Sequence, residues 1–469
     1  MSEDKPTVAI IGSGIAGLAA THILGEKYAV TIFEREATNS RPTPLPPQLG
    51  MDSQSISVPP CKGRVDVPLR IFNPRFYPLL TKLYTSTQVS FAPCSSEFSS
   101  SWITKEKGVA GYFKYSNLSI GKLGIPYFSL NLSPMNWLNS SHKYRPSYLK
   151  TLYSTVLHSV SLFRFFLFSP FYIGVRTGLG CKALTLGEYL KGGLIPYPKT
   201  FIYDLLYPML SVVCTCSYSS LDAYPAKTII DYYNTYGILT WFPNPFRTKL
   251  QYGGAHCRVT EGINSVCEKL SKRAVKCVFN SNVTEVIPGA KPLVKSKDGS
   301  VQEFDYVVVA TQPHHASALL PQAKPELLEA LKQWKYEHSC VYVHRCDSLM
   351  PSRNCDWSNV NIMVGPRTTG LDGSQCSIWL NRLDDTIPED VYQTWNPAFK
   401  LEEDKILKYA EFTRPVVTME TERHCKVVKE NQGSGGVFLV GSYSRFDMPL
   451  LENAVKSGKE VGELMGVSF

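Results

Sequence analysis

Residues 8–36, VAIIGSGIAGLAATHILGEKYAVTIFERE, limit the possible folds of this chain more than any other stretch. The run Val8–Ile11 is apolar and β-branched, as a strand buried on both faces must be. Gly12, Gly14 and Gly17 follow at the G-x-G-x-x-G spacing that turns a strand into a helix. In that geometry Gly12 makes the tight turn and Gly14 lets a pyrophosphate approach the backbone. Gly17 lets the helix lie close on the strand, and the phosphates meet the positive end of the helix dipole. A second apolar run, Val30–Phe33, ends in Glu34, whose carboxylate can accept from ribose hydroxyls and would repel a 2′-phosphate. Strand, turn, helix, strand and acid in this order predict a dinucleotide site and disfavour NADP.

At 469 residues the chain exceeds one ordinary core and predicts two to three domain-sized units. The formal net charge of +9 reads as spread along the chain without a long basic run, so nucleic acid is not expected as a partner. Thirteen cysteines without a C-x-x-C pair read as reduced thiols of an intracellular, cytoplasmic protein. The start MSEDKPT runs directly into the first strand, which leaves no room for a signal peptide. The greasiest stretch, Phe165–Val175, is eleven residues long and interrupted by Pro170, too short to span a bilayer. It reads as buried helix and turn, or, more sharply, as a lid or a peripheral membrane contact through 160–175.

Residues 38–60 are rich in Pro and Ser and read as an irregular loop. The segment from Pro74 has apolar residues at helical spacing, and 96–250 is tyrosine-rich with helical pieces near 147–168, 184–192 and 200–212. Later, KCVFNSNVTEVIPG and FDYVVVATQP return to the buried-strand pattern, while HSCVYVHRC and QCSIWLNRL alternate like antiparallel strands with one covered face. The end supplies GVFLVGSY, a strand, and a helix over 451–466 with Ala454, Gly458, Val461, Gly462 and Met465 on one face. The fold class is therefore α/β: a Rossmann-type dinucleotide domain assembled from 1–95, 251–330 and 431–469, with a mixed α+β substrate domain over 96–250 and 331–430.

Closure by a C-terminal strand, a Gly441-Ser442 turn and a small-faced helix suits a flavin better than a nicotinamide, because that helix N-terminus can stabilise negative charge on a reduced isoalloxazine. With these residues in view, the opening fingerprint, VTEVI, FDYVVVATQP and FLVGSYSRFDMPLLENAVKSGKEVGELMG resemble the FAD-dependent amine-oxidase-like superfamily. Within it the chain is most similar to predicted NAD/FAD-binding flavoproteins whose bacterial members accompany cyclopropane-fatty-acid synthases. FNPRFYPLLTKLY, LTLGEYL, YGGAHCRVTEGINSVCEKL and LMPSRNCDWSNVNI extend the resemblance over most of the chain. The resemblance implies that Gly12, Ser13, Gly14, Ile15, Ala16 and Gly17 hold the FAD pyrophosphate, with Glu34 and Arg35 at the adenosine ribose and the Val283 backbone at the adenine. Ala310, Gly441 and the run Leu451, Glu452, Asn453, Ala454 would line the rest of the cofactor. The family's covalent members use a C-terminal cysteine; none lies in 426–469, so the FAD is expected to be non-covalent. Two departures stand out: the paired glycines that usually follow the ribose acid are replaced by the Pro/Ser loop, and Pro68 occupies a usual glycine position.

A flavin supplies hydride chemistry itself, so the protein needs few catalytic groups. Arg70 and Asn73 follow the first flavin-contacting loop, and Tyr77, Trp357 and Tyr443 are candidates for an aromatic wall, though single aromatics are more often core. His314 and His315 read as loop residues. The chemistry left open is oxidation of a lipophilic small molecule of fatty acyl or polyene type, redox-neutral double-bond isomerisation or amine oxidation, or nucleotide binding without turnover. A metal site is not expected.

Overall fold

The buried apolar runs form a five-stranded, all-parallel sheet in the order β11 (Ala274–Phe279), β2 (Ala29–Glu34), β1 (Thr7–Ile11), β15 (Tyr306–Val309) and β21 (Val437–Leu439). Ile10 in the central strand faces Ile32 on one side and Val308 on the other, which explains the absence of polar alternation in β1. The computed structural model describes Lys5 to Phe469 except 36–48, 51–52, 59–63, 95–96, 104–107, 121–122, 130–147, 194, 236–255, 352–353, 366–371 and 388. Most of the Pro/Ser-rich loop lies outside the described residues, as does the 236–250 end of the tyrosine-rich region.

One face of the sheet carries α1 (Ile15–Leu24), α2 (Pro78–Ser86), α9 (Ile263–Ser271) and α13 (Leu451–Leu464). The other carries α10 (Pro313–Leu319), α11 (Pro325–Lys332), α12 (Thr421–Glu430) and the antiparallel β12 (Val283–Ile287), β13 (Leu293–Ser296) and β14 (Val301–Glu303). Parallel strands followed by helices put the N-termini of α1 and α13 at the same carboxyl edge of the sheet. Farther along, at their middles, the two helices approach closely, for a Cβ on Gly458 would lie 3.2 Å from the Ala20 amide nitrogen.

A second sheet has eight strands in the order β20 (Ile406–Val416), β16 (Lys335–His344), β19 (Tyr392–Trp395), β18 (Ser374–Trp379), β17 (Val360–Val364), β7 (Phe98–Ile103), β8 (Gly108–Ile120) and β9 (Leu123–Ser129). Its pairs are antiparallel except β17 with β7. One face meets the hairpin of β3 (Gln54–Ser57) and β4 (Arg64–Val67) through Val65 and Val67 packed among Val341, Val343 and Ile378. β10 (His256–Val259) joins β5 (Ile71–Phe72) and β6 (Phe91–Cys94) beside it.

A helical layer covers the β7–β17 end: α3 (Tyr148–Gly178), α4 (Leu186–Gly192), α5 (Lys199–Phe201), a π-helical turn (Ile202–Leu206), α6 (Tyr207–Cys214), α7 (Tyr218–Ala223) and α8 (Ala226–Thr235). Thr185 and Glu188 form a capping box that starts α4. The tyrosine-rich region opens with β7–β9 ahead of these helices, and one expectation is overturned: the stretch 165–175 is not broken at Pro170. One helix runs through that proline, because burial of Phe165, Ser169 and Ile173 on the same side offsets the roughly 3 kcal/mol that an interior proline costs.

Candidate functional site

The turn between β1 and α1 has the geometry its spacing predicts. Gly12 sits at φ +102°, a conformation that favours glycine, and its N–H donates to the Phe33 carbonyl at 2.8 Å. A Cβ on Gly17 would stand 2.1 Å from the Gly12 carbonyl oxygen, whereas a Cβ on Gly14 would meet nothing within 4 Å. Gly17 is therefore fixed by packing inside the protein, while Gly14 faces open space where a phosphate chain can lie. Gly14 is also the N-cap of α1 and brings no side chain to the first-turn amides of Ile15 and Ala16, leaving them directed at that space. Ala310, immediately after β15, closes the floor of the turn, its carbonyl oxygen 3.1 Å from where a Gly12 Cβ would stand.

Glu34, at the end of β2, accepts on one carboxylate oxygen from the Ser13 N–H at 2.9 Å and from the Ser13 hydroxyl. The same hydroxyl accepts from the Gly50 N–H at 2.9 Å, so Gly50 of the Pro/Ser-rich stretch meets the glycine turn. The exposed Arg35 lies close enough to His314 and His315 that, after burial, its charge helps hold both imidazoles below their ordinary range. Val283 begins β12 just past a turn whose Ser281 N–H donates to the Glu34 carbonyl at 3.1 Å, so the expected adenine-side backbone is tied to the ribose acid.

At the other end, the Gly441 N–H donates to Ser457 Oγ at 2.9 Å, and a Cβ on Gly441 would run into the Tyr443 ring. α13 then begins at Leu451 without a side-chain cap. Asn453 and Ala454 are buried in its first turn, and Asn453 Nδ2 donates back to the Met448 carbonyl at 2.5 Å. The Glu452 side chain does not line a cofactor space, which corrects the expectation for it. Its two oxygens each accept at 2.9 Å from the Leu79 and Leu80 amides, capping α2, and burial raises its carboxyl above the ordinary carboxylate range. Only the Glu452 backbone remains directed at the carboxyl edge.

The candidate catalytic residues separate. Arg70 Nε donates to Ser53 Oγ at 2.9 Å, which fixes the side chain beside the β3–β4 hairpin. Asn73 is a turn brace, with Oδ1 accepting from the Arg75 N–H at 3.0 Å. Tyr77 precedes α2 and meets Phe72 edge to face at 6.4 Å, at the rim of the dinucleotide core. Trp357 meets Trp379 and Tyr392. By strand alternation these lie on the face of the large sheet opposite Ile378 and Gln393, away from the hairpin, so Trp357 is not part of a wall with the others. Tyr443 is core as well, packed among Ile11, Val309 and Leu439 and edge to face with Trp334 at 6.3 Å.

Two residues outside the motifs, Gln393 and Asp66, complete the junction. Gln393 Nε2 donates to the Asp66 carbonyl at 3.0 Å, and its Oε1 accepts from the Leu69 N–H at 2.8 Å. It thereby clamps the segment containing the cis Val67–Pro68 bond to the large sheet. Asp66 Oδ1 accepts from Ser55 Oγ at 2.5 Å and from the Ile263 N–H at 3.1 Å, seating the same hairpin on the start of α9. Burial raises the Asp66 carboxyl. A cleft of about 460 Å³ lined by Asp66, Leu69, Arg258 and Asp384 lies at this junction and includes none of the glycine-turn residues.

Two uncapped helix N-termini at one carboxyl edge, an open Gly14 and an acid at the end of β2 have the geometry of a dinucleotide-binding fold. The sequence model of flavin containing amine oxidoreductases matches residues 211–386, downstream of the glycine turn. Wild-type putrescine oxidase bound to putrescine superposes with a TM-score of 0.62 at 10% identity, over 98% of this chain and 99% of that one. A CLA-producing fatty acid isomerase from P. acnes gives 0.59 at 12% over all of both chains. Cyclohexylamine oxidase from Brevibacterium oxydans IH-35A gives 0.55 at 13% over 98% of each. No curated protein matches the sequence. The chain thus has the fold of these enzymes, and its residues 211–386 resemble flavin containing amine oxidoreductases.

Proposed function

We propose that this flavoenzyme takes hydride from a C–H bond of a lipophilic small molecule, of fatty acyl or polyene type, with its FAD held non-covalently. One observation carries the reading. A chain of aromatic contacts leads from the turn after β5 into the helical layer: Phe76 to Tyr232 at 5.7 Å, Tyr232 to Tyr233 at 5.3 Å, Tyr233 to Phe166 at 5.2 Å. Such a wall excludes water and suits an apolar chain better than a compact charged amine.

FAD, when bound, accepts the hydride at its ring. This chain's own residues would bind and orient it: Gly14 and the first amides of α1 would receive the pyrophosphate, Glu34 the ribose, and the first turn of α13 would offer amides to negative charge on the ring. Arg70, fixed beside the hairpin at the junction, is the side chain we assign to orienting a substrate head group. Amine oxidation is the second reading, favoured by the likeness to two amine oxidases.

Anaerobic titration of the flavin spectrum separates them. Fatty acids of increasing length should bind with affinity rising by about 0.8 kcal/mol per buried methylene until the site is full. A response flat in chain length, together with flavin reduction by a small primary amine, would replace the lipid reading with the amine reading.

A further inference from the structure

α3 is apolar on both sides, and only one side is used. Inward, Leu162, Phe165 and Ile173 join the core of the helical layer, and Ser169 is fully buried beside the Tyr189 hydroxyl. Outward, Val156, Val160, Phe163, Leu167, Phe171 and Val175 recur at steps of three or four residues, and all are exposed, Phe163 at 58% and Phe171 at 73%. A stripe of this period over about 30 Å of helix is one continuous face. Exposed Leu179 prolongs it past the helix end, and exposed Ile195, whose carbonyl accepts from Arg164, widens it. Apolar patches of this extent on a protein surface mark a docking face.

Charge identifies what docks. The sequence has no Asp or Glu from Lys107 to Gly187, while the same 81 residues hold nine Lys and Arg. The rest of the chain carries forty cations and forty anions, so the entire net charge of +9 belongs to the stretch containing α3. The charge is therefore concentrated rather than spread along the chain, which corrects that expectation. Arg176 stacks toward Tyr172 and donates to the Lys182 carbonyl at 3.0 Å, holding cations at the C-terminal end of the face. Pairing with a second copy would set two such +9 stretches against each other. An anionic lipid surface complements both the apolar stripe and its cationic flanks.

We propose that the outer face of α3 is a monotopic docking surface for an anionic phospholipid bilayer. The helix is long and apolar enough to cross a membrane by length and composition, yet its buried side is committed to the protein core, so it lies in the interface rather than through it. The proposal is independent of the substrate assignment, since its readout is partition and not turnover.

The test is flotation of the full-length flavin-loaded protein with phosphatidylcholine vesicles and with vesicles of roughly seven parts phosphatidylcholine to three parts phosphatidylserine, at about 0.1 M and about 0.5 M salt. Binding should be strongest on the serine-containing vesicles at low salt and weaken at high salt. A Phe163→Ser/Phe171→Ser variant should partition at least about tenfold less while keeping its melting temperature and flavin content, because both rings are outside the core. Failure to float with either vesicle, equal flotation of the variant, equal binding to the two vesicle types, or a dimer that the variant dissociates would each overturn the proposal.

Discussion

α1 and α3 are both apolar helices, and they meet opposite fates. All ten residues of Ile15–Leu24 are buried, between the parallel sheet and α13. α3 is three times as long and buries one side only, so that Phe165 is 1% exposed and Phe168, three residues on, 56%. An apolar helix is thus not a statement about where it lies. α1 is surrounded because its small residues, Ala16, Ala19 and Ala20, allow a sheet and a second helix to close on it from two sides. α3 has bulky aromatics all round, and the protein supplies a partner for half of them.

The largest effect expected on this contrast comes from the turn that starts α1. Gly17→Val would place its Cβ 2.1 Å from the Gly12 carbonyl, where no backbone can yield cheaply, and should cost more than about 4 kcal/mol, seen as loss of the cooperative melt. A Cβ at Gly14 meets no protein atom within 4 Å, so Gly14→Val should melt like the wild-type apoprotein while failing to retain flavin absorbance. Equal melting of the two variants would break the distinction between the packed and the open glycine. Next is the two-sidedness of α3. Phe165→Ala should cost about 3–5 kcal/mol in chemical denaturation, and Phe168→Ala should stay within about 0.5 kcal/mol. Similar losses at both sites would mean that the outer face is packed after all.

The smallest expected effect is electrostatic and belongs to α1. His22 is buried on that helix, its Nε2 3.3 Å from Ser86 Oγ, and burial with the nearby Arg273 pulls its pKa from 6.5 to about 4. A lowered base is neutral in the folded protein, so its contribution is complete above pH 6.5 and is lost as the pH falls toward 4. With part of the ring screened by water, about 1–2 kcal/mol is at stake. The melting temperature should fall over that window and fall less in His22→Gln; identical pH profiles would remove His22 from the account.

The dinucleotide half of the site was legible because its information is local. Gly12, Gly14, Gly17 and Glu34 lie within 23 consecutive residues, and the turn they specify needs only its own strand and helix. The junction with the large sheet was not. Gln393 holds Leu69 from 324 residues away, and no spacing announces a glutamine that will meet a backbone carbonyl and an amide together. Trp357 and Tyr443 looked alike as single aromatics, and only strand alternation and core packing assign them elsewhere. Glu452 sits at a cofactor-lining position in sequence, but its carboxylate turns to the amides of α2, a choice set by the nearest unsatisfied donors.

The sequence by itself determined the parallel sheet, the glycine turn and the closing helix, because buried strands, tight turns and small-faced helices each impose residue types at fixed short spacings. It also determined the charge imbalance, which any structure must display. The tertiary structure decided that α3 passes through Pro170 and which of its faces meets solvent. It decided which aromatic rings meet as well. Those outcomes depend on what packs opposite each side chain, and a partner hundreds of residues away is a property of the folded chain and of no segment within it.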